Sequence, residues 1–368
     1  MLVRPRLIVA AIAAVLVAAS CGGDDGGASS DGGLVVASLA EVPSAVLDDT
    51  DELVQIHLAD LDAASEVADL DRPTLDDGED AFGDWFGALS GLRDAPVFVP
   101  RLELHEGELF GESGAVVDEL GWSILEVERF VEVSSPPVRF TVVRGEGVAP
   151  AEGLVEVADG VLAIGEGEDL EIGVEARTAA RPLGRPLRLR ADADAVAVSL
   201  TTDPVTAWRG DQPTLADSAL FADAARALDE VEVVAAALVQ GAARPVASSA
   251  IGIADPDELR ELLGASAIGA RFPVVGLGWY AVDGAAMVRV VYVFTDEGTA
   301  EAQAPIIEAL FADGTSIVNG VPMSDLVELR SVDAEGSLVV VDVGLPDGRP
   351  PSTVLSMLQQ GEIVFLVG

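Results

Sequence analysis

The stretch Pro273-Val-Val-Gly-Leu-Gly-Trp-Tyr-Ala-Val-Asp-Gly-Ala-Ala-Met-Val-Arg-Val-Val-Tyr-Val-Phe294 decides the fold class. Residues 273–282 and 286–294 are rich in β-branched and aromatic side chains, and Asp283-Gly284 between them is typical of a tight hairpin turn. Such a turn joins antiparallel strands, because parallel neighbours need a crossover of a dozen or more residues. The stretch therefore predicts an antiparallel β-hairpin.

Similar turn signals occur elsewhere in the chain. Asp159-Gly160 predicts a hairpin over residues 154–164, and Glu335-Gly336 predicts one over residues 327–343. Pro305 lies inside a helical pattern, where it should kink or divide the helix. Hairpins interleaved with helices favour an α+β fold, with antiparallel sheets and helices packed on them, over a doubly wound parallel fold. Helices are predicted over residues 62–70, 82–89, 203–208, 220–228, 255–264, 297–311 and 353–360, and further strands over residues 53–58, 195–200 and 363–367.

A short motif suggests two duplicated halves. The triplet Pro-Thr-Leu occurs at Pro73 and again at Pro213, 140 residues later. Each copy follows a predicted strand and short helix and precedes another helix. The alternative is coincidence in a chain of low residue diversity. The predicted domains are an N-terminal α+β half over residues 34–153 and a C-terminal α+β half over residues 154–368.

The N-terminus has the features of a bacterial lipoprotein signal. Arg4 and Arg6 precede 13 apolar residues, 7–19, and small residues lead to Cys21, the only cysteine. Thirteen apolar residues are too few to span a bilayer, which needs about 20. We expect residues 1–20 to be a signal peptide, Cys21 to be acylated, and residues 21–33 to be a flexible tether rich in Gly, Asp and Ser. Secretion without an anchor is the alternative.

Composition excludes several partners and chemistries. The chain has 63 acidic and 21 basic residues and a formal net charge of −42, which repels nucleic-acid phosphates, so we expect no nucleic-acid partner. Every basic residue is arginine. Without lysine, a Schiff base, a phosphate-loop lysine and a Ser–Lys dyad are all excluded. A single cysteine also excludes a disulfide within the chain.

No catalytic or metal motif stands out. The segment Gly264-Ala-Ser-Ala-Ile268 lacks the final glycine of a nucleophile elbow. His57 and His105 are predicted to be structural or surface histidines, and the acidic residues between 69 and 80 to form a solvated loop. We therefore predict a protein that is not an enzyme, with no catalytic residues, no metal and no cofactor.

One basic cluster departs from the acidic composition. Five of the 21 arginines lie within 14 residues, in a segment too rich in proline and glycine for a helix. Guanidinium groups pair well with phosphate and carboxylate, so the cluster is a candidate anion-binding site. The alternative is a ladder of arginines that pairs with carboxylates of the protein itself. The five residues are Arg177, Arg181, Arg185, Arg188 and Arg190.

Several segments together resemble a group of lipoproteins from high-GC Gram-positive (actinobacterial) bacteria. The resemblance implies a location and lends the chain no activity. It rests on Cys21 with its Gly/Asp tether, Arg181-Pro-Leu-Gly-Arg-Pro186, Pro213-Thr-Leu-Ala-Asp217, Pro322-Met-Ser-Asp-Leu326 and Gly348-Arg-Pro-Pro-Ser-Thr353.

Three functional hypotheses follow. The first is a protein anchored through lipidated Cys21 on the extracytoplasmic face of the cell membrane, which binds or assembles with an envelope protein, an acidic polymer or a lipid. The second is a carrier that encloses an apolar or acylated lipid, which would require a continuous apolar cavity. The third is a carboxylate-dependent cell-wall hydrolase, which would require two facing carboxylates in a polar cleft.

Overall fold

Twelve strands form one continuous antiparallel sheet in the computed structural model, which describes residues 32–48, 53–168, 170–245 and 268–367. The strands in chain order are β1 (Val54–Asp60), β2 (Arg129–Ser135), β3 (Val138–Arg144), β4 (Val155–Ala158), β5 (Val161–Ile164), β6 (Leu187–Asp192), β7 (Ala195–Ser199), β8 (Ala235–Gln240), β9 (Arg244–Pro245), β10 (Val274–Val282), β11 (Ala285–Val293), β12 (Glu328–Glu335), β13 (Leu338–Gly344) and β14 (Leu366–Val367). The sheet order is β12-β13-β11-β10-β8-β1-β2-β3-β7-β6-β5-β4, and β9 pairs with β14 separately.

Helices pack on both faces of this sheet, so the fold class is α+β, as predicted. The α-helices are α1 (Leu34–Leu39), α2 (Leu61–Val67), α3 (Gly78–Leu89), α4 (Ser113–Leu120), α5 (Thr202–Ala207), α6 (Ala219–Asp229), α7 (Glu297–Asp313) and α8 (Thr353–Gln360). Short 3-10 helices cover Ser44–Leu47, Leu75–Asp77, Glu103–Phe110, Ile124–Glu126, Val174–Ala176, Leu215–Asp217, Met323–Asp325 and Ile363–Phe365. Among the described residues, no helix is both long and apolar enough to cross a membrane.

The hairpin that decides the fold class is confirmed. Strands β10 and β11 pair from Val274↔Val293 to Val282↔Ala285. Asp283 and Gly284 between them have φ angles of 53° and 79°. Two consecutive left-handed residues match the right-handed twist of the flanking strands, which is why Asp-Gly is favoured there.

Alternating side chains give the sheet two buried faces. On β1, Ile56 and Leu58 join the hydrophobic core that also contains residues of α1 and α6. We call this side the α6 face. The opposite side, which His57 faces, packs against α3, α7 and α8 around three buried tryptophans: Trp85, Trp122 and Trp279. We call this side the cleft face.

The Pro-Thr-Leu triplets adopt the same local structure in different sheet contexts. In each, the threonine and an aspartate three residues later, Thr74 with Asp77 and Thr214 with Asp217, form a reciprocal capping box. The strand before the first triplet, β1, pairs with β2 and β8, whereas the strand before the second, β7, pairs with β3 and β6. Strands β4 to β7, from the predicted C-terminal half, extend the same sheet beyond β3.

One local prediction needs correction, and one of the two alternatives predicted at Pro305, a divided helix, is contradicted. Helix α7 continues through Pro305 without being divided. Pro305 and Glu301, whose carbonyl would accept the missing N–H bond, both lie on the exposed side of α7, where water can solvate that carbonyl. The predicted last strand begins as the 3-10 helix Ile363–Phe365, because the Glu362 side chain caps Ile363 N. The predicted signal peptide, Cys21, the tether up to residue 31 and the helix over 255–264 lie outside the described residues.

Candidate functional site

A cleft of about 580 Å³ opens on the cleft face of the sheet. Its floor is one row of side chains that crosses adjacent strands. Gln55 on β1 pairs with Ser134 on β2, and Ser134 pairs with Arg139 on β3. The floor continues with Leu200, which directly follows β7, and with Leu187 on β6. Residues directly opposite in antiparallel strands point to the same side, so the strand register itself builds this surface.

Loops from distant parts of the chain form the walls. One wall is the segment from Arg101 to Glu106, and another is the turn Pro136-Pro137 between β2 and β3, which contains a cis peptide. The third is the segment from Arg181 to Arg185, and Gln359 of α8 completes the rim. The lining thus combines four arginines, two glutamates and several apolar side chains.

A second polar row lies beside the floor. His57 on β1 is opposite Glu132 on β2, which is opposite Thr141 on β3. Glu132 is 2% exposed, and its carboxyl accepts hydrogen bonds from Thr141 Oγ1 at 2.9 Å and from the backbone N–H of Glu103 at 3.1 Å. Burial raises the pKa of Glu132 to about 7, and nearby Glu103 adds to the rise, whereas Arg139 and the two hydrogen bonds oppose it.

His57 lines the cleft and has one unsatisfied ring nitrogen. Its Nε2 atom is buried without a hydrogen-bond partner among the described residues, although the side chain as a whole lines the cleft. Burial lowers the pKa of His57, partly opposed by Glu103 and by the backbone of Arg101. The imidazole is therefore neutral at pH 7.

The four arginines of the lining differ in how they are paired. Arg181 Nε donates to Glu119 at 2.6 Å, and Arg139 lies 3.3 Å from Glu103. Within the described part of the chain, neither Arg101 nor Arg185 has a carboxylate partner, and Arg185 Nε is buried without an acceptor. The cleft thus presents two uncommitted guanidinium groups.

The structure separates the five arginines predicted to bind an anion. Arg181 and Arg185 line the cleft. Arg177 is exposed outside it. Arg188 is 3% exposed and faces the other side of β6, where it lies 3.6 Å from Glu168 and donates to the carbonyl of Gly167. Arg190 donates to the carbonyl of Thr206 at 3.0 Å.

Three cleft residues were not predicted to belong to one site. Arg101 and Arg139 are isolated in the sequence, and His57 was predicted to be structural or on the surface. A signal was present for part of the floor, because Gln55 and His57 alternate with the apolar residues of a predicted strand. That alternation marks one polar side of β1, but it does not tell which loops cover that side.

The other histidine belongs to a buried hydrogen-bond network. His105 Nδ1 contacts Glu108, and Trp122 Nε1 donates to His105 Nε2 at 3.1 Å. Ser123 Oγ donates to Glu108 at 2.6 Å. The carboxylate, and not the histidine, therefore lies in the middle of this Ser–Glu–His chain, so the histidine is not placed to take a proton from the serine. All four side chains are buried, so we assign this network to the stability of the core.

The acidic residues between 69 and 80 lie around the first capping box. Asp77 accepts hydrogen bonds from the backbone N–H and the hydroxyl of Thr74. These two bonds lower the pKa of Asp77. In the part of the chain that the structure describes, no three His, Cys, Asp or Glu residues form a group that could hold a metal ion.

Comparisons with known proteins assign no family. No protein-family model matches the chain, and no curated protein matches it. A solved structure of TP0453, crystal form I, aligns with 90% of this chain and 98% of its own length, at 11% identity and a TM-score of 0.36. A likeness at this TM-score carries no argument about fold or function. The resemblance to actinobacterial lipoproteins stays a prediction.

Proposed function

We propose that this chain is a lipid-anchored, extracytoplasmic binding protein that holds an anionic group of its ligand in the arginine-lined cleft. One observation carries the proposal. In a chain with 63 acidic residues and 21 arginines, Arg101 and Arg185 line the same cleft and have no carboxylate partner among the described residues. A hydrogen-bond acceptor on a ligand would give both guanidinium groups the partner that they lack.

The burial of one atom, Arg185 Nε, strengthens the case for a ligand anion. A buried N–H without an acceptor costs about 1–3 kcal/mol, and more when the group is charged. Arg185 Nε is in that position. A phosphate or carboxylate can accept two parallel hydrogen bonds from one guanidinium, so a ligand anion would recover this free energy.

The composition of the cleft supports binding over the two other hypotheses. A carrier of a wholly apolar lipid would bury its ligand among apolar side chains, whereas this cleft presents four arginines. A hydrolase would need two carboxylates that face each other across the cleft. One of the two glutamates in the lining, Glu103, lies 3.3 Å from Arg139, and Glu132, in the row beside the floor, is 2% exposed and does not line the cleft. The proposed lipid on Cys21 and the tether that follows would place the cleft near envelope ligands.

Titration of inorganic phosphate, observed by ³¹P NMR, tests this function. The wild-type protein should broaden or shift the phosphate resonance, and the double variant Arg101→Ala/Arg185→Ala should not. A matched control is Arg177→Ala/Arg271→Ala, which removes two exposed arginines outside the cleft and should behave like the wild type. Equal responses from all three proteins would contradict the proposal.

A further inference from the structure

Uncharged polar groups accompany the arginines in the cleft. Gln55, Ser134 and Gln359 line it, and none of the three side chains has a hydrogen-bond partner within the described residues. They are placed beside the charged groups and not on a separate surface, since Ser134 is directly opposite both Gln55 and Arg139. A ligand held by the arginines would therefore also meet neutral donors and acceptors.

His57 adds a neutral polar group that is already removed from water. Its Nε2 is buried and unpartnered, and its strand position is two residues from Gln55, on the same side of β1. Strand geometry places the two positions about 7 Å apart. A ligand that contacts both Gln55 and His57 must therefore span about that distance along β1.

The chemistry of a neutral imidazole limits which groups of a ligand can lie beside His57. Nε2 is either a donor or an acceptor, depending on the tautomer. A hydroxyl group satisfies either form, because it donates and accepts, whereas phosphate and carboxylate oxygens only accept. An alkyl chain would satisfy none of His57, Gln55 and Ser134, and would leave their polar atoms buried without partners.

We propose that the ligand is an anionic polyol, in which hydroxyl groups adjoin a phosphate or a carboxylate, and that His57 selects those hydroxyls. The inference rests on the proposed function, because the arginines hold the charged end. It adds a specificity-determining residue and a ligand class: phosphorylated polyols or sugar acids, as free molecules or as units of a polymer. Simple fatty acids and alkyl phosphates fall outside this class.

Matched pairs of probes test the inference by calorimetric titration. Glycerol 3-phosphate is compared with propyl phosphate, and glucuronate with cyclohexanecarboxylate, so that each pair differs in its hydroxyl groups. In at least one pair, the hydroxylated probe should bind the wild type about tenfold tighter or more, since a site built for hydroxyls rejects analogues that lack them. The pair that shows the preference identifies the anion as phosphate or carboxylate.

Single variants then test which cleft residues cause the preference for the hydroxylated probe. His57→Phe should reduce the ratio within that pair to about threefold or less, while the affinity for the alkyl probe stays unchanged. Gln359→Leu, at the exposed end of α8, should reduce the ratio without threatening the fold, and the neighbouring Gln360→Leu, outside the cleft, is its control.

The possible failures are distinguishable. Equal affinity for hydroxylated and alkyl probes in the wild type, with both lost in Arg101→Ala/Arg185→Ala, would overturn the polyol inference and leave anion binding intact. A preference that survives in His57→Phe would overturn the role of His57, whatever the effect of Gln359→Leu. No binding of any probe would overturn the proposed function together with the inference.

Discussion

Glu132 shows how a single buried carboxyl can make the stability of the fold depend on pH. Its pKa is raised to about 7 in the folded protein, from an ordinary value of 4.5. The folded protein therefore binds this proton more tightly than the unfolded chain does. The contribution of Glu132 to the free energy of unfolding is full below pH 4.5 and is lost as the pH rises through about 7.

Replacement of this side chain should remove that dependence. Relative to Glu132→Gln, the wild type should lose up to about 3 kcal/mol of unfolding free energy between about pH 4.5 and pH 7, with little relative change above about pH 8. Urea unfolding of both proteins across pH 4 to 9 measures the difference, in which other titrating groups largely cancel. A difference that is flat, or that rises with pH, would show that Glu132 is not protonated in the folded protein.

Arg181 and Arg185 lie four residues apart and should respond differently to truncation. The Arg181–Glu119 pair joins two side chains that are 13% and 15% exposed, so Arg181→Ala leaves a largely buried carboxylate unpaired. We expect a loss of about 1–3 kcal/mol in unfolding free energy. Arg185→Ala breaks no ion pair among the described residues and removes the buried, unsatisfied Nε, so it should not lower the unfolding free energy.

Thermal and urea unfolding of the two single variants distinguish these roles. If both variants lose stability equally, Arg185 would belong to a ladder of arginines that pairs with carboxylates of the protein itself, and it would not be free to bind a ligand. Stability retained in Arg185→Ala, together with lost phosphate binding, would place its role in the ligand site.

At the scale of elements, two loops are built in the same way around buried glutamates. In Gly121-Trp-Ser-Ile124, Glu108 accepts hydrogen bonds from Ser123 Oγ at 2.6 Å and from Ile124 N at 2.9 Å. In Gly314-Thr-Ser-Ile317, Glu362 accepts from Ser316 Oγ at 2.6 Å and from Ile317 N at 2.7 Å. Each loop follows a helix and precedes a hairpin. The glutamate lies 15 residues before the serine in the first loop and 46 residues after it in the second, so the shared Gly-x-Ser-Ile motif does not extend the duplication hypothesis.

Truncation of the second glutamate should destabilise the C-terminal part of the sheet. Glu362→Ala leaves Ser316 Oγ and the backbone N–H groups of Ile317 and Ile363 without their acceptor, so we expect a loss of about 3 kcal/mol or more in unfolding free energy. Glu301→Ala, on the exposed side of α7, is the control and should change it by less than about 0.5 kcal/mol. Urea unfolding measures both, and similar small effects would show that water replaces the carboxylate.

Turn chemistry explains which elements could be predicted from the sequence. Hairpins at Asp159-Gly160, Asp283-Gly284 and Glu335-Gly336 carry local signals and are present. The β2–β3 hairpin turns on Pro136-Pro137, which marks a turn but lacks the glycine typical of a tight hairpin, and no strand was predicted there. Since β2 and β3 supply Ser134 and Arg139 to the floor and Glu132 to the row beside it, these parts of the cleft were not predictable from local patterns.

At the scale of the whole molecule, the cleft depends on contacts between residues far apart in the chain. The N–H of Glu103 bonds to Glu132, and Arg181 bonds to Glu119, 62 residues away. The periodicity of the sequence does not show which distant residues pair. With 63 acidic residues, the composition does not show which carboxylate pairs with a given arginine either. The sequence predicted two of the four cleft arginines because they happen to be neighbours. The other two come together only through the register of the sheet and the loop that covers it.

The attachment of the protein to the membrane can be tested on the whole chain. A net charge of −42 disfavours adsorption of the protein to anionic headgroups, so the proposed acyl group on Cys21 should provide the attachment. Cys21→Ser should move the protein from the membrane to the soluble extracytoplasmic fraction, and Ser29→Ala in the tether should leave it in place. Fractionation of cells that express each variant, at low and at high salt, measures this. If Cys21→Ser stays with the membrane at both salt concentrations, the attachment does not depend on the cysteine, and the cleft would have to be considered as a site that binds the membrane directly.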